Sequence, residues 1–125
     1  MPARYRKRNL EDIAFEREVA RALNGLPKWV QRHLANVAIV IEDEPGPDDK
    51  EGAEKRLYAL YHGVPVGVDP GPFAMPARII IYWRPLVADF GRGSCLRREI
   101  RRTIIHEIGH HFGMSEEEIT RLGYG

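Results

Sequence analysis

The sequence predicts an α+β domain in which N-terminal helices and a small mixed sheet precede a long C-terminal helix. Three patterns support this fold class: helical periodicity near both ends, three apolar runs of strand length between them, and two histidines four residues apart near the C-terminus. The 125 residues are consistent with one domain that has a modest core. Residues 1–8 are basic and are expected to form a flexible tail.

The first two predicted elements are helices. Asn9 can cap a helix that extends to about Leu23, because apolar residues recur along one side of this segment and an asparagine–glycine pair follows it. Pro27 can begin a second, shorter helix that extends to about His33, since proline fits the first helical turn.

Three strands are predicted next, from apolar runs rich in β-branched and aromatic residues. The runs are Val37 to Ile41, Leu57 to Tyr61, and Arg78 to Trp83. Pro85 is expected to stop the third strand. The segments between the strands, residues 42–52 and 63–76, are rich in proline and glycine and are predicted to be loops.

Residues 93–112 are predicted to form a helix, because apolar residues recur there at every fourth position. These residues are Leu96, Ile100, Ile104, Ile108 and Phe112. With His106 at zero on a helical wheel of ~100° per residue, His110 falls at ~40° and Ile108 at ~200°. The two histidines therefore share one face, opposite the apolar stripe.

The segment His106-Glu107-Ile108-Gly109-His110 is the strongest functional signal in the sequence. Two neutral imidazoles one helical turn apart can bind one divalent metal ion. A glutamate between them suits a general base that acts on metal-bound water. The pattern therefore predicts a zinc hydrolase in which both histidines bind the metal and Glu107 is catalytic.

One helix face cannot complete a tetrahedral zinc site, so a third ligand is expected beyond the helix. Gly113 can end the helix, and Ser115 is predicted to cap a last short helix with Glu118 as its capping-box partner. Glu116, at the first position of that helix, is predicted to be the third zinc ligand, although an acid there can also simply complement the helix dipole. Glu117 is the alternative ligand, and water would take the fourth position.

Other residues near this helix receive structural interpretations. His111 falls at ~140° on the wheel, beside the apolar stripe, and is predicted to pack in the core. Glu99 is predicted to pair with a neighbouring arginine, Arg98 or Arg102, at the surface. Cys95 is predicted to be a small core residue. Four candidates for oxyanion stabilisation stay open: Tyr58, Tyr61, His62 and Tyr124.

The composition excludes several classes of protein. A net charge of +1 gives no overall electrostatic attraction to nucleic acid, so no nucleic-acid partner is predicted. The single cysteine excludes an internal disulfide framework. No apolar run approaches the ~20 residues of a membrane span, and the N-terminus lacks the apolar core of a signal peptide. A cytoplasmic protein without a membrane partner is therefore expected.

The segment from His106 to Glu116 resembles the HExxHxxGxxD pattern of the zincin metallopeptidase superfamily. More narrowly, the chain is similar to the short bacterial zincin-like proteins called mini-zincins. The similarity extends through Leu57 to Pro65 and Arg78 to Tyr82. One position departs from the family pattern: the final aspartate is a glutamate here, one methylene longer.

The resemblance implies that residues 1–125 form a single zincin-like metallopeptidase domain. It implies zinc ligation by His106, His110 and Glu116, and activation of water by Glu107. It also implies an edge strand beside the cleft that can hold an extended peptide by strand addition.

Two hypotheses for the function follow. The first is a zinc-dependent metallopeptidase that acts on a peptide or protein substrate. The second is a non-catalytic zinc-binding module that uses the same scaffold for structure or partner binding, since a small domain gains stability from a metal ion. The identity of the substrate and the oligomeric state do not follow from the sequence.

Overall fold

The computed structural model describes residues 10–46, 57–63, 71–72 and 77–124. These ranges contain helices α1 (Leu10–Asn24), α2 (Lys28–Leu34), α3 (Trp83–Phe90), α4 (Ser94–His111) and α5 (Glu116–Arg121). They also contain strands β1 (Ala38–Glu42), β2 (Ala59–His62) and β3 (Arg78–Tyr82). The predicted α+β class is confirmed, whereas the predicted tail of residues 1–8 lies outside the described residues.

The three strands form one mixed sheet in the order β1-β3-β2. β3 runs parallel to β1 and antiparallel to β2, with Ile80 opposite both Val40 and Leu60. Residues 79–82 of β3 are buried, as the continuous apolar character of this central strand requires. Within the described part of the chain, β1 and β2 are therefore the two edges of the sheet.

Helix α4 supplies much of the core. Leu96, Ile100, Ile104 and Ile108 are buried in a cluster with residues of the sheet and of α1. The predicted stripe is wrong only at its end, where Phe112 is 46% exposed because α4 has already ended at His111. None of the described helices has the length and hydropathy that a membrane crossing requires.

Helix α3 follows β3 directly and was not predicted. The strand does stop before Pro85, as predicted, but a helix begins at once at Trp83. A proline in the first turn removes no helical hydrogen bond, because the first four N–H groups of a helix have no acceptor within the helix. At the start of α3 the acceptors come from Asp43, which lies outside the helix. The Arg84 N–H donates to the Asp43 carbonyl (3.0 Å), and the Trp83 indole donates to the Asp43 carboxylate (2.7 Å).

Gly113 ends the α4 region with a φ of 76°, a left-handed conformation that disfavours a Cβ atom. We expect Gly113→Ala to lower the free energy of unfolding by about 1–2 kcal/mol, the cost of left-handed backbone for an L-residue. Gly113→Asn is the matched control, because asparagine tolerates this conformation better. Chemical denaturation of both variants checks the prediction, and an equal loss in the two would contradict it.

Candidate metal centre

The two histidines of the candidate site lie on the solvent side of α4. Ile104 and Ile108 anchor the opposite face of the helix in the core, and this fixes the direction in which His106 and His110 project. The His106 side chain is 19% exposed and that of His110 is 55% exposed. A ligand can therefore reach the pair from solvent.

A tight turn returns the chain to this face. The Met114 N–H donates to the Gly109 carbonyl (2.7 Å) after the left-handed Gly113. Ser115 then caps α5 through the predicted capping box with Glu118, which is confirmed. A Cβ on Gly109 would lie 2.9 Å from Cδ1 of the buried Ile119, so the glycine allows α5 to approach α4 closely. This approach brings the start of α5 next to the histidines.

Glu116, the first residue of α5, contacts both histidines. Its Oε1 lies 2.7 Å from His110 Nε2, and its Oε2 lies 3.5 Å from His106 Nδ1. One ligand atom from each of the three residues lies within 4.8 Å of the others, and among the described residues this is the group suited to a metal ion. Glu117, the alternative ligand of the sequence analysis, is not part of the group.

The charge of the Glu116 carboxylate is favoured by its surroundings. The hydrogen bond from His110 lowers the pKa of Glu116 most. Loss of hydration raises this pKa by a smaller amount, and the charges of His106, His110 and Arg102 lower it further. The Glu116 carboxylate therefore remains ionised at a lower pH than an ordinary glutamate does, and the ionised form is the one that binds a metal ion.

The carbonyl oxygen of Tyr124 orients His106. It lies 2.8 Å from His106 Nε2, and because a carbonyl only accepts, Nε2 must donate. A neutral imidazole protonated at Nε2 carries its lone pair on Nδ1, the atom that faces Glu116. This contact could not be predicted, since no sequence pattern indicates a hydrogen bond to a backbone carbonyl 18 residues away.

Loss of this carbonyl should weaken metal binding. A protein that ends at Gly123 is expected to bind zinc about 10–100-fold more weakly, the usual effect of removing an outer partner of a metal-bound histidine. Tyr124→Phe keeps the backbone carbonyl and should retain the affinity of the original sequence. Competition with a chromogenic zinc chelator measures both, and a similar loss in the two proteins would contradict the role of the carbonyl.

Glu107 lies on the side of α4 that faces strand β2. Its Oε2 accepts a hydrogen bond from the backbone N–H of Tyr61 (3.2 Å). Burial raises the pKa of Glu107, and this effect outweighs the opposing effects of the Tyr61 N–H and of the charges on His110 and His106. A carboxylate with a raised pKa is a better proton acceptor near neutral pH than an ordinary exposed glutamate.

The raised pKa has a consequence for stability. Because the folded protein binds this proton more readily than the unfolded chain, the ionised carboxylate destabilises the metal-free fold at pH values above its folded pKa. Glu107→Gln should therefore raise the melting temperature of the metal-free protein at pH 7. The difference between the two melting temperatures should vanish below the ordinary pKa range of glutamate, where Glu107 is protonated in both the folded and the unfolded protein. Thermal melts across this pH range check the prediction, and a lower melting temperature for the variant at pH 7 would refute it.

The other residues that the sequence singled out lie around this centre. His111 is half-buried. Its ring stacks on that of Tyr61 at 4.2 Å, and its Nε2 lies 3.2 Å from the Tyr61 hydroxyl.

Glu99 pairs with Arg102 at 3.5 Å, so the predicted surface pair is confirmed. The prediction for Cys95 is wrong: it is exposed, because it precedes Leu96 and projects away from the buried stripe.

A groove of about 200 Å³ separates the start of β2 from α4. Residues 57–59 form one wall, and Arg102, Thr103, His106 and Glu107 form the other. The candidate base and one candidate ligand thus border a space beside an edge strand. Tyr58 also lines this groove, whereas Tyr61 is engaged with His111.

Residues 34–125 match the family described as zincin-like metallopeptidase. The chain belongs to this family. The match covers all three strands, α4 and α5, so it includes every residue of the candidate metal centre.

A solved structure is similar to this zincin-like chain over most of its length. It is that of a conserved hypothetical protein from Thermo thermophilus, with a TM-score of 0.50 and 26% sequence identity, over 80% of this chain and 92% of the other. That protein is described as hypothetical, so the likeness concerns the fold rather than an activity. A search of curated proteins gives no match.

The donor set of this zincin-like chain fits zinc. Two imidazole nitrogens and one carboxylate oxygen are normal zinc ligands, and tetrahedral bonds of about 2.0–2.1 Å place ligand atoms about 3.3 Å apart. One ligand atom from each of the three residues lies within 4.8 Å of the others, so modest side-chain adjustments bring them to that spacing. His106, His110 and Glu116 can therefore hold the ion, with Tyr124 fixing the tautomer of His106.

Proposed function

We propose that this protein is a zinc-dependent metallopeptidase in which Glu107 is the general base and His106, His110 and Glu116 bind the metal. Membership of the zincin-like family supports a peptidase-like role. The single observation that favours catalysis most is the position of the Glu107 carboxylate, which contacts the backbone of an edge strand at 3.2 Å. The base thus borders the path that an extended peptide would take along that strand.

The openness of the metal centre also supports turnover. The side chains of His110 and Glu116 are 55% and 65% exposed, so three protein ligands leave a direction open to solvent. Structural zinc sites are closed by four protein ligands, whereas catalytic sites keep one position for water or substrate. This feature favours a peptidase over the alternative of a purely structural zinc module.

Strand β2 offers backbone groups for a peptide. The Tyr58 carbonyl accepts from the Tyr82 N–H across the sheet (2.9 Å), so alternation directs the N–H and C=O groups of Ala59 and Tyr61 to the outer edge. The Tyr61 N–H donates to the Glu107 carboxylate, whereas the backbone N–H and C=O groups of Ala59 face the groove between β2 and α4. A substrate strand can pair there through its main chain, with little demand on side-chain identity.

Each residue then has a chemical role. Zinc, when bound, supplies Lewis acidity toward the scissile carbonyl and lowers the pKa of water. Glu107 accepts the proton of the attacking water and delivers it to the nitrogen of the departing amine. His106 is held for ligation by the Tyr124 carbonyl, and the Tyr61 N–H holds the Glu107 carboxylate in place.

The test is metal analysis combined with peptide cleavage. Purified protein should contain about one zinc ion per chain and should cleave members of a mixed peptide library. A chelator should abolish cleavage, and added zinc should restore it. Bound zinc without cleavage of any peptide would instead support the non-catalytic module.

A further inference from the structure

A second groove, of about 670 Å³, adjoins the metal centre and carries an excess of positive charge. Three arginines line it, Arg98, Arg101 and Arg102, together with one acid, Glu99. The net charge of the whole chain is only +1, so this is a local concentration rather than a general property of the surface. We call it the arginine groove.

The arginine groove is in line with the candidate metal ligands. Arg98, Arg102, His106 and His110 follow one another at intervals of four residues on α4, so they form one row along the helix. Arg102 lies one turn, about 6 Å, before His106, and Arg98 lies about 12 Å before it. Arg102 also lines the groove between β2 and α4, so the two spaces meet at its side chain.

The opposite wall of the arginine groove belongs to the C-terminal segment. Leu122, which is 43% exposed, and Tyr124 line it, and Tyr124 is the residue whose carbonyl holds His106. The groove therefore shares both of its walls, α4 and this segment, with the metal centre. A ligand extended along α4 from the metal would enter the arginine groove.

We propose that the arginine groove binds an acidic side chain of the peptide substrate, and so gives the peptidase a preference for acidic peptides. Guanidinium groups bind carboxylates through charge-assisted, bidentate hydrogen bonds. An extended peptide advances about 3.3 Å per residue, so the acidic residue would lie about two to four positions from the scissile bond. This inference rests on the proposed function for the presence of a scissile bond, but binding itself can be measured without hydrolysis.

Glu99 would compete with such a ligand for the guanidinium group of Arg102. Glu99 pairs with Arg102 at 3.5 Å, and both side chains are partly exposed, at 19% and 44%. Such a solvent-exposed ion pair is weak and can be exchanged for a substrate carboxylate. Arg97, in contrast, lies 2.8 Å from the Glu18 carboxylate with both side chains less exposed, so its role is structural.

The experiment compares two fluorescein-labelled ten-residue peptides of otherwise identical sequence. One contains three consecutive acidic residues, and the other contains the corresponding amides. Fluorescence anisotropy measures their binding to the zinc-loaded Glu107→Gln protein, in which the peptide is not consumed. We expect the acidic peptide to bind about tenfold more tightly, and we expect this preference to collapse in 1 M salt.

Three variants in the same background test the residues. Arg98→Gln/Arg102→Gln should remove the tenfold preference, whereas the control Arg17→Gln/Arg32→Gln, with the same loss of charge at exposed positions of α1 and α2, should retain it. Glu99→Gln should strengthen binding of the acidic peptide. Equal binding of the two peptides, or an equal loss in both double variants, would overturn the proposal. Tighter binding of a single-stranded oligonucleotide than of the acidic peptide would overturn it as well.

Cleavage of the same two peptides by the protein with Glu107 intact separates this proposal from the proposed function. Selective binding, with no cleavage of these two peptides or of the mixed peptide library, would leave the acidic-peptide site in place and refute the peptidase. Cleavage of both peptides at equal rates, with equal affinities, would support the peptidase and refute the arginine groove as a specificity site.

Discussion

Replacing Glu107 with glutamine should lower the rate of peptide hydrolysis by about 10²–10⁴-fold, the usual contribution of a positioned general base. Glutamine has nearly the same shape, and its side-chain oxygen can still accept the hydrogen bond from the Tyr61 N–H that the carboxylate accepts at 3.2 Å. It cannot take a proton from water at neutral pH. The substitution therefore removes the proton transfer while it keeps the local packing.

Two measurements make this result specific to proton transfer. Zinc content should stay at the level of the original protein, because none of the atoms grouped around the candidate metal position belongs to Glu107. Glu117→Gln, which also neutralises a glutamate close to the site, should keep full activity. An active Glu107→Gln protein would rule out the mechanism, and an inactive one that also lacks zinc would point to a structural role for Glu107.

Local patterns were sufficient to predict most of the elements that carry the site. The apolar repeat from Leu96 to Ile108 predicted α4 and the direction in which its histidines project, because a single helix face is determined by sequence spacing alone. The capping box of Ser115 and Glu118 was predicted for the same reason. These features depend on residues a few positions apart.

Features that depend on distant contacts could not be predicted. Helix α3 begins where Trp83 and Arg84 find acceptors in Asp43, about 40 positions earlier in the chain, and no periodicity reports this. From the sequence, any of the three predicted strands could have been the edge beside Glu107. The strand order leaves β1 and β2 as edges, and the hydrogen bond from the Tyr61 N–H to Glu107 identifies β2. The Tyr124 carbonyl and the arginine groove likewise arise from the packing of the C-terminal segment against α4.

Neutralising the Glu116 carboxylate should cause a large loss of zinc affinity. Glu116→Gln should weaken zinc binding by more than the roughly 10–100-fold that follows the loss of an outer partner, because it removes a ligand charge directly. Glu117→Gln should change the affinity little, since its neighbour supplies the oxygen atoms at 2.7 and 3.5 Å from the histidines. His110→Ala, which deletes a ligand outright, should lower the affinity at least as far as Glu116→Gln.

Competition between the protein and a chromogenic chelator measures these affinities, and its pH dependence supplies an independent check. Without zinc, His110 Nε2 lies 2.7 Å from Glu116 Oε1, so for this nitrogen to bind zinc its proton must move to Nδ1 in a neutral ring, or leave for solvent in a protonated one. Zinc affinity should therefore fall as the pH is lowered, because imidazoles bind metal only when they are neutral.

Glu116→Asp retains the charge but shortens the side chain by one methylene. The affinity that this variant keeps would show how far zinc binding depends on the length of the side chain at position 116. A larger loss in Glu117→Gln than in Glu116→Gln would transfer the ligand role to Glu117 and require the start of α5 to rotate when zinc binds.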